Sequence, residues 1–133
     1  MTRKIRITSP EVAEAAPKLW SNCLQVDDTL YLSGLTSRAN DGTTILGETA
    51  YEQATVIFGK MKHLIEAAGG TIDDVVTMTI YVTDIRENKE IWKARAEFFS
   101  GDFPACALVE VTGLANPEIK LEIQSQARLK KAA

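Results

Sequence analysis

Residues 103–111 of the chain read Phe103-Pro104-Ala105-Cys106-Ala107-Leu108-Val109-Glu110-Val111. Apart from the acid near its end, this run is apolar on both faces and rich in residues that favour a pleated backbone. That pattern predicts a buried strand between packed layers. Pro104 has no N–H to donate to a ladder, so it belongs at the first residue of the strand. We therefore expect a central strand of the sheet, entered at Pro104.

The two polar positions of this strand lie on one face. With a period of two, the side chains of Cys106 and Glu110 point to the same side of the sheet. A carboxylate inside an apolar run is costly unless it is paired or close to water. We therefore expect this face to border a cleft or a partner subunit.

Length and composition describe an ordinary globular chain. Its 133 residues fit one domain covering 1–133, and its 45% hydrophobic and 25% charged content is average for such proteins. The net charge is -3, and no run of Lys or Arg exceeds Lys130-Lys131, so we expect no nucleic-acid partner. Two cysteines are too few for a disulfide framework, and no apolar stretch follows the basic start of the chain. We expect a cytoplasmic protein without a membrane partner.

Periodicity predicts the remaining elements. Thr49 is a candidate N-cap for the clearest helix, and Gly69-Gly70 supplies its end. The predicted elements are an edge strand at 3–7, a hairpin of 23–26 with 29–34, a helix at 51–68, a strand at 75–82, a helix from Asp84 to about Phe99, and a final strand at 119–127. This order predicts a mixed sheet with both helices on one face. The second face would then be bare and apolar, which favours self-association.

Several short motifs, in their order and spacing, resemble the Rid family, also called YjgF or L-PSP endoribonuclease. They are Trp20, Ser33-Gly34, Glu66-Ala67-Ala68-Gly69-Gly70, Val82-Thr83-Asp84, Phe98-Phe99, Phe103-Pro104-Ala105, Val109-Glu110-Val111 and Lys120-Leu121-Glu122-Ile123. The resemblance implies a chorismate-mutase-like α+β subunit with a six-stranded mixed sheet, and a homotrimer with a central barrel. It also implies small-molecule clefts between subunits, in which members hydrolyse enamines and imines to keto acids and ammonia.

The resemblance also places the functional positions. In deaminating members the strand entry reads Phe-Pro-Ala-Arg, and the Arg clamps the substrate carboxylate, whereas here the position is Cys106. The acid of the last strand falls on Gln124 if one inserted residue is allowed in 112–117. An aromatic residue of the first loop matches Trp20, and an Asn of the second helix matches Trp92. Because both charges are lost together, we expect a neutral, more apolar cleft.

The candidate residues have competing interpretations. Cys106 is either a nucleophile or, more often for a free cysteine, a small buried hydrophobe. Trp20 and Trp92 either stack on a flat ligand or fill a core or interface. Glu110 or Glu122 either replaces the missing acid or pairs with a Lys or Arg. The candidate catalytic residues are Cys106, Gln124 and Glu122, and the candidate ligand-binding residues are Trp20, Ser33, Gly34, Trp92, Cys106 and Glu110.

No metal or cofactor is expected, because the only histidine, His63, lies off the apolar stripe of its helix and no close Cys pair exists. Two functions remain open. One is a divergent enamine or imine hydrolase whose substrate lacks the usual carboxylate or meets it elsewhere. The other is a non-catalytic ligand-binding or regulatory trimer. A neutral cleft predicts weak or no hydrolysis of 2-iminobutyrate.

Overall fold

The computed structural model describes residues 3–130, which form a six-stranded sheet covered by two α-helices. The sheet order is β1-β2-β3-β6-β4-β5, in which only the β4–β5 pair is parallel. The predicted mixed α+β architecture is therefore confirmed. In chain order the elements are β1 (Lys4–Arg6), β2 (Cys23–Val26), β3 (Thr29–Leu35), α1 (Ala50–Ala67), β4 (Val75–Val82), α2 (Asn88–Ala96), β5 (Ala105–Glu110) and β6 (Leu121–Arg128).

Helix α1 follows the predicted pattern at both ends. The Thr49 hydroxyl accepts a hydrogen bond from the Glu52 backbone N–H, and the Glu52 side chain accepts one from Thr49, which forms a capping box. After the helix, Gly69 takes the left-handed conformation (φ +91°) that an L side chain rarely adopts. The apolar stripe predicted from spacing is the buried face of α1. Its buried residues are Ala50, Gln53, Ala54, Ile57, Phe58, Met61, Leu64 and Ile65.

Helix α2 is shorter than predicted. The carboxylate of Asp84 accepts from the Arg86 N–H and caps a 3-10 turn, after which α2 itself ends at Ala96 rather than near Phe99. The two phenylalanines beyond its end pack against Phe58 of α1, with ring centroids 5.7 Å apart in both cases. Both helices therefore lie against the same face of the sheet, as predicted.

Strand β6 lies inside the sheet, between β3 and β4, and alternates as expected for a strand with one covered face. Its buried residues face the helices, and they are Leu121, Ile123, Ser125 and Ala127. Glu122, Gln124 and Gln126 point to the opposite, open face. This register confirms the predicted alternation and places the two candidate catalytic positions of β6 on the open face.

Strand β5 contradicts the sequence prediction. It is an edge strand rather than a central one, because it pairs only with β4 among the described strands. Only Leu108 along β5 is even partly buried, and Val109 keeps 39% of its surface exposed. Pro104 lies one residue before the strand, which begins at Ala105, rather than at its first residue as predicted. The apolar residues of β5 therefore form a surface that a single chain leaves exposed.

The open face of the sheet is also less apolar than predicted. Its central rows are polar: Thr77 lies beside Gln126 and Thr79 lies beside Gln124. Tyr31 of β3 adds an aromatic ring that is 45% exposed. The prediction of a bare apolar face is therefore corrected to a mixed face of threonine, glutamine and aromatic side chains.

Candidate functional site

The candidate residues form two separate groups. We name the β6 group for Trp20, Ser33, Gly34, Glu122 and Gln124, and the β5 group for Trp92, Cys106 and Glu110. Cys106 lies beside Met78 of β4, on the face covered by the helices, whereas Gln124 lies beside Thr79 on the open face. Strand β4 also separates β5 from β6. A single chain therefore does not bring Cys106 and Gln124 together.

Glu122 is the ionisable residue of the β6 group. It lies next to Tyr81 of β4, and its carboxylate occupies the space that a Cβ at position 34 would take, so Gly34 allows the close approach. Burial raises the pKa of Glu122 above its usual range, because desolvation disfavours the charged form. No ion pair or hydrogen bond engages the Glu122 side chain within residues 3–130. A carboxyl with a raised pKa and no ion-pair partner is a candidate for proton transfer.

Gln124, the position onto which the resemblance carries the acid, is exposed on the open face. It lines a shallow cavity of about 170 Å³ together with Tyr31, Thr77 and Thr79. An amide cannot take a proton from water, but it can donate and accept hydrogen bonds. Gln124 can therefore orient a water molecule or ligand but cannot act as a base.

Trp20 and Gly34 line a larger cavity, of about 390 Å³. The indole of Trp20 is 55% exposed, so it does not fill the core. The Ser33 hydroxyl donates to the Ser21 carbonyl oxygen and so ties β3 to the segment that carries Trp20. These three candidate residues therefore belong to one region beside β3.

Lys60 of α1 also lines this cavity, and sequence reasoning missed it. Its ammonium donates to the carbonyl oxygens of Thr36 and Arg38 at 2.7 and 2.6 Å. Burial, with a smaller contribution from the nearby Arg38, lowers the pKa of Lys60 to about 8. The available signal was its spacing, three residues after Ile57 and four before Leu64, which places it on the buried side of α1.

In the β5 group, Cys106 is exposed, so the expectation of a small buried hydrophobe is wrong for this chain. Desolvation raises the pKa of its thiol, and the neighbouring Arg95 guanidinium partly offsets that effect. A raised thiol pKa disfavours the thiolate that a nucleophilic cysteine needs. Glu110 accepts a hydrogen bond from the Ile85 backbone N–H at 3.0 Å, which explains how an acid is tolerated in this strand.

The β5 group also contains a cation that was not anticipated as a site residue. The guanidinium carbon of Arg95 lies 4.3 Å from the Trp92 ring centroid and 5.3 Å from that of Phe103. Its Nε is buried and has no hydrogen-bond partner within the described part of the chain. The expectation of a neutral cleft is therefore wrong for the surroundings of Cys106. The available signal was spacing, since Arg95 follows Trp92 by three residues on one helix face.

Two further features bear on possible ligands. His63 is exposed on α1, as expected for a surface residue. Across 3–130, no helix has the length and hydropathy to cross a bilayer, and no three metal-binding side chains of the His, Cys, Asp and Glu types cluster.

The fold and its sequence match known proteins over nearly their whole length. The family model described as endoribonuclease L-PSP matches residues 11–129. A RutC family protein of Saccharolobus solfataricus is 32% identical over 113 residues, which cover 83% of this chain and 89% of that protein. Among solved structures, a protein of unknown function from Pseudomonas aeruginosa is 40% identical, with a TM-score of 0.85 and coverage of 97% of this chain and 94% of that one.

A second solved structure carries the name RidA and comes from an Antarctic Psychrobacter bacterium. It is 28% identical, with a TM-score of 0.84, and the alignment covers 94% of this chain and 99% of that chain. The matched family model extends over almost the entire chain, and the motifs quoted from the sequence all lie within or beside its range. The chain therefore belongs to the Rid family, whose family model bears the description endoribonuclease L-PSP.

Proposed function

We propose that this protein hydrolyses a small reactive enamine or imine in a cleft formed between copies of the chain, with Glu122 as the general base. The observation that carries the proposal is the carboxyl of Glu122, partly buried against Gly34 with a raised pKa and without an ion-pair partner in the described residues. Such a carboxyl is suited to proton transfer, as expected for a catalytic acid or base. The reaction type follows from the family resemblance.

Glu122 would act at the step in which water adds to the imine. The Glu122 carboxylate takes a proton from water while the water oxygen bonds to the carbon of the protonated imine, whose nitrogen takes the C=N electron pair and becomes an amine. The Glu122 carboxyl then returns this proton to the amine of the carbinolamine, the C–N bond breaks, and the hydroxyl loses its proton to the departing ammonia, which leaves the keto product as well as ammonium. Water is the only co-reactant and no oxidation state changes, so no redox cofactor is required. Gln124, on the same face of β6, would orient the attacking water.

The division of the site favours an assembly. Gln124 of the β6 group and Cys106 of the β5 group lie on opposite faces of one sheet, and the apolar edge strand β5 is exposed. A second copy that places its β5 edge beside the β3–β6 region would complete the site and cover the edge. We propose the homotrimer with a central barrel that the resemblance implies. Native mass spectrometry should give about three times the chain mass.

Ammonia release tests the reaction directly. The substrates are 2-iminobutyrate and 2-iminopropionate, each generated in the assay, and a matched imine without a carboxylate. We expect hydrolysis faster than the uncatalysed rate for at least one substrate, with a rate proportional to protein concentration. Rates equal to the protein-free control for all three imines would contradict the proposed reaction.

A second candidate is a non-catalytic ligand-binding trimer. It is favoured by Gln124, which carries no ionisable group, and by the raised thiol pKa of Cys106. The rate of imine decay distinguishes the two candidate functions. A non-catalytic protein would bind 2-oxobutyrate, the product of 2-iminobutyrate hydrolysis, while leaving imine decay at the uncatalysed rate.

Ribonuclease activity is not part of the proposal, although the family description contains the word endoribonuclease. A net charge of -3 disfavours the electrostatic attraction to phosphates that supplies most of a protein's affinity for RNA. We expect no submicromolar binding of single-stranded RNA at physiological salt. Fluorescence anisotropy measures this, and submicromolar affinity would contradict it.

A reducing, cytoplasmic setting fits the two free cysteines.

A further inference from the structure

Arg95 has the features of a binding residue rather than of a structural ion pair. None of the salt bridges found in 3–130 includes it, and its buried Nε lacks a hydrogen-bond partner. A buried donor without a partner is unfavourable, and in native structures it often marks a place where a water molecule or ligand completes the arrangement. Lys60 provides the contrast, because both of its acceptors are carbonyl oxygens of the chain itself.

The surroundings of Arg95 hold the guanidinium in place. Its guanidinium carbon lies over the rings of Trp92 and Phe103, at 4.3 and 5.3 Å from their centroids. Attraction between the cation and the aromatic rings holds the guanidinium without using its N–H donors. A planar guanidinium can present two N–H groups to both oxygens of a carboxylate.

Arg95 also lies at the right position in the fold. Its guanidinium is close enough to the Cys106 thiol to lower the thiol pKa against the effect of burial. Cys106 is exposed at the β5 edge, where the proposed cleft between copies lies. A positive charge therefore stands beside the very residue around which the sequence predicts a neutral cleft.

We propose that Arg95 is the anion-binding residue of this cleft and that it takes a carboxylate of the ligand between its in-plane N–H groups, beside Cys106 and over Trp92. This inference rests on the proposed function, since it assigns part of the same site. The positive charge that contacts the ligand is therefore carried by Arg95 of helix α2 rather than by a residue of strand β5. The protein therefore selects substrates that carry a carboxylate.

Binding of two matched probes tests the assignment. The probes are 2-oxobutyrate and its methyl ester, which differ in the negative charge, and calorimetry gives the dissociation constant of each. For the wild type we expect the acid to bind more tightly than the ester. In Arg95→Gln the preference for the acid should fall at least ~10-fold, as for loss of a charged hydrogen bond, with ester binding little changed. Lys93→Gln is the control, because it removes the same charge from the same helix.

Three results would overturn the assignment: no preference for the acid in the wild type, an unchanged preference in Arg95→Gln, or an equal loss in Lys93→Gln. If Arg95→Gln does not fold, alkylation of Cys106 in the wild type decides. The acid should then slow the reaction with iodoacetamide more than the ester does, and equal protection would refute the proposal. Binding requires no turnover, so a protein that binds 2-oxobutyrate through Arg95 but hydrolyses no imine refutes only the proposed reaction.

Discussion

Strands β5 and β6 have similar lengths but opposite environments. Strand β6 is paired on both sides, and its side chains alternate strictly between the core and the open face. Strand β5 is more apolar in sequence, yet it lies at the edge of the sheet and is exposed along most of its length. Strict alternation along a strand thus indicates that the chain buries one face of the strand in its own core. An apolar run on an exposed edge is a candidate interface with another molecule, as we propose for β5.

The same comparison divides the candidate site. Strand β6 carries Glu122, a carboxyl that can exchange a proton, whereas β5 carries Cys106, which lies beside the Arg95 guanidinium. The proton-transfer group of the candidate site therefore lies on β6, and the positive charge lies beside β5. We interpret the division as two parts of one site that different copies of the chain bring together.

The largest expected effect concerns the exposed edge of β5. Ala107→Lys places a charge on the open-face side of this strand, beside Thr79. If another copy covers the edge, the buried charge costs on the order of 3–5 kcal/mol per interface, and the assembly dissociates. Native mass spectrometry should then show single chains. Ala67→Lys, at the exposed end of α1, is the control and should leave the assembly intact. An unchanged assembly in Ala107→Lys would show that β5 lies outside the interface.

The next effect concerns the proton-transfer group of β6. Glu122→Gln should reduce imine hydrolysis by ~10²- to 10⁴-fold, the usual contribution of general acid–base catalysis. Steady-state ammonia release measures the loss. Glu66→Gln on the exposed face of α1 removes the same charge and should have little effect. A loss below tenfold in Glu122→Gln would exclude Glu122 as the base.

A third prediction concerns the covered face of β6. Ile123 is fully buried, so Ile123→Ala should lower the free energy of unfolding by ~2–5 kcal/mol. Ile5→Ala, on the exposed strand β1, should cost less than ~1 kcal/mol. Urea denaturation at a fixed chain concentration measures both values. Equal losses of unfolding free energy in the two variants would mean that another molecule covers β1 in solution, or that neighbouring side chains fill the cavity left by Ile123→Ala.

The smallest effect is a pH dependence of stability. Because the folded-state pKa of Glu122 is raised, its contribution is fully present below the unfolded pKa and is lost as pH rises through the folded pKa. The Glu122→Gln variant should therefore unfold at a higher temperature than the wild type near pH 7. The difference should shrink toward about pH 4, where the wild-type carboxyl is protonated. Thermal melts across this range measure it, and a constant difference would refute the assigned cause.

Local elements were predictable because local chemistry determines them. The capping box of Thr49 with Glu52, the left-handed Gly69 and the alternation of β6 all follow from interactions within a few residues. The position of β5 in the sheet did not follow. Its apolar sequence is equally compatible with a central strand and with an edge strand that meets another subunit.

The candidate site was predictable only in part. The residues chosen by resemblance do lie at two defined places, but their division between faces depends on strand pairing that the sequence does not display. Arg95 was not anticipated as a site residue, because the position of its guanidinium depends on contacts with the rings of Trp92 and Phe103. Contacts between segments that are distant in sequence determine the roles of such residues. The periodicity of apolar residues does not predict these contacts.

Complementation between two inactive variants tests most directly whether the site forms between copies. Glu122→Gln disables the β6 group, and Cys106→Phe obstructs the β5 group. Each variant alone should be inactive as a homo-oligomer. Chains mixed at equal amounts and refolded together should recover about one quarter of wild-type ammonia release, because random assembly pairs the two intact parts in that share of the clefts. No recovery, in mixed oligomers verified by native mass spectrometry, would contradict a site shared between copies.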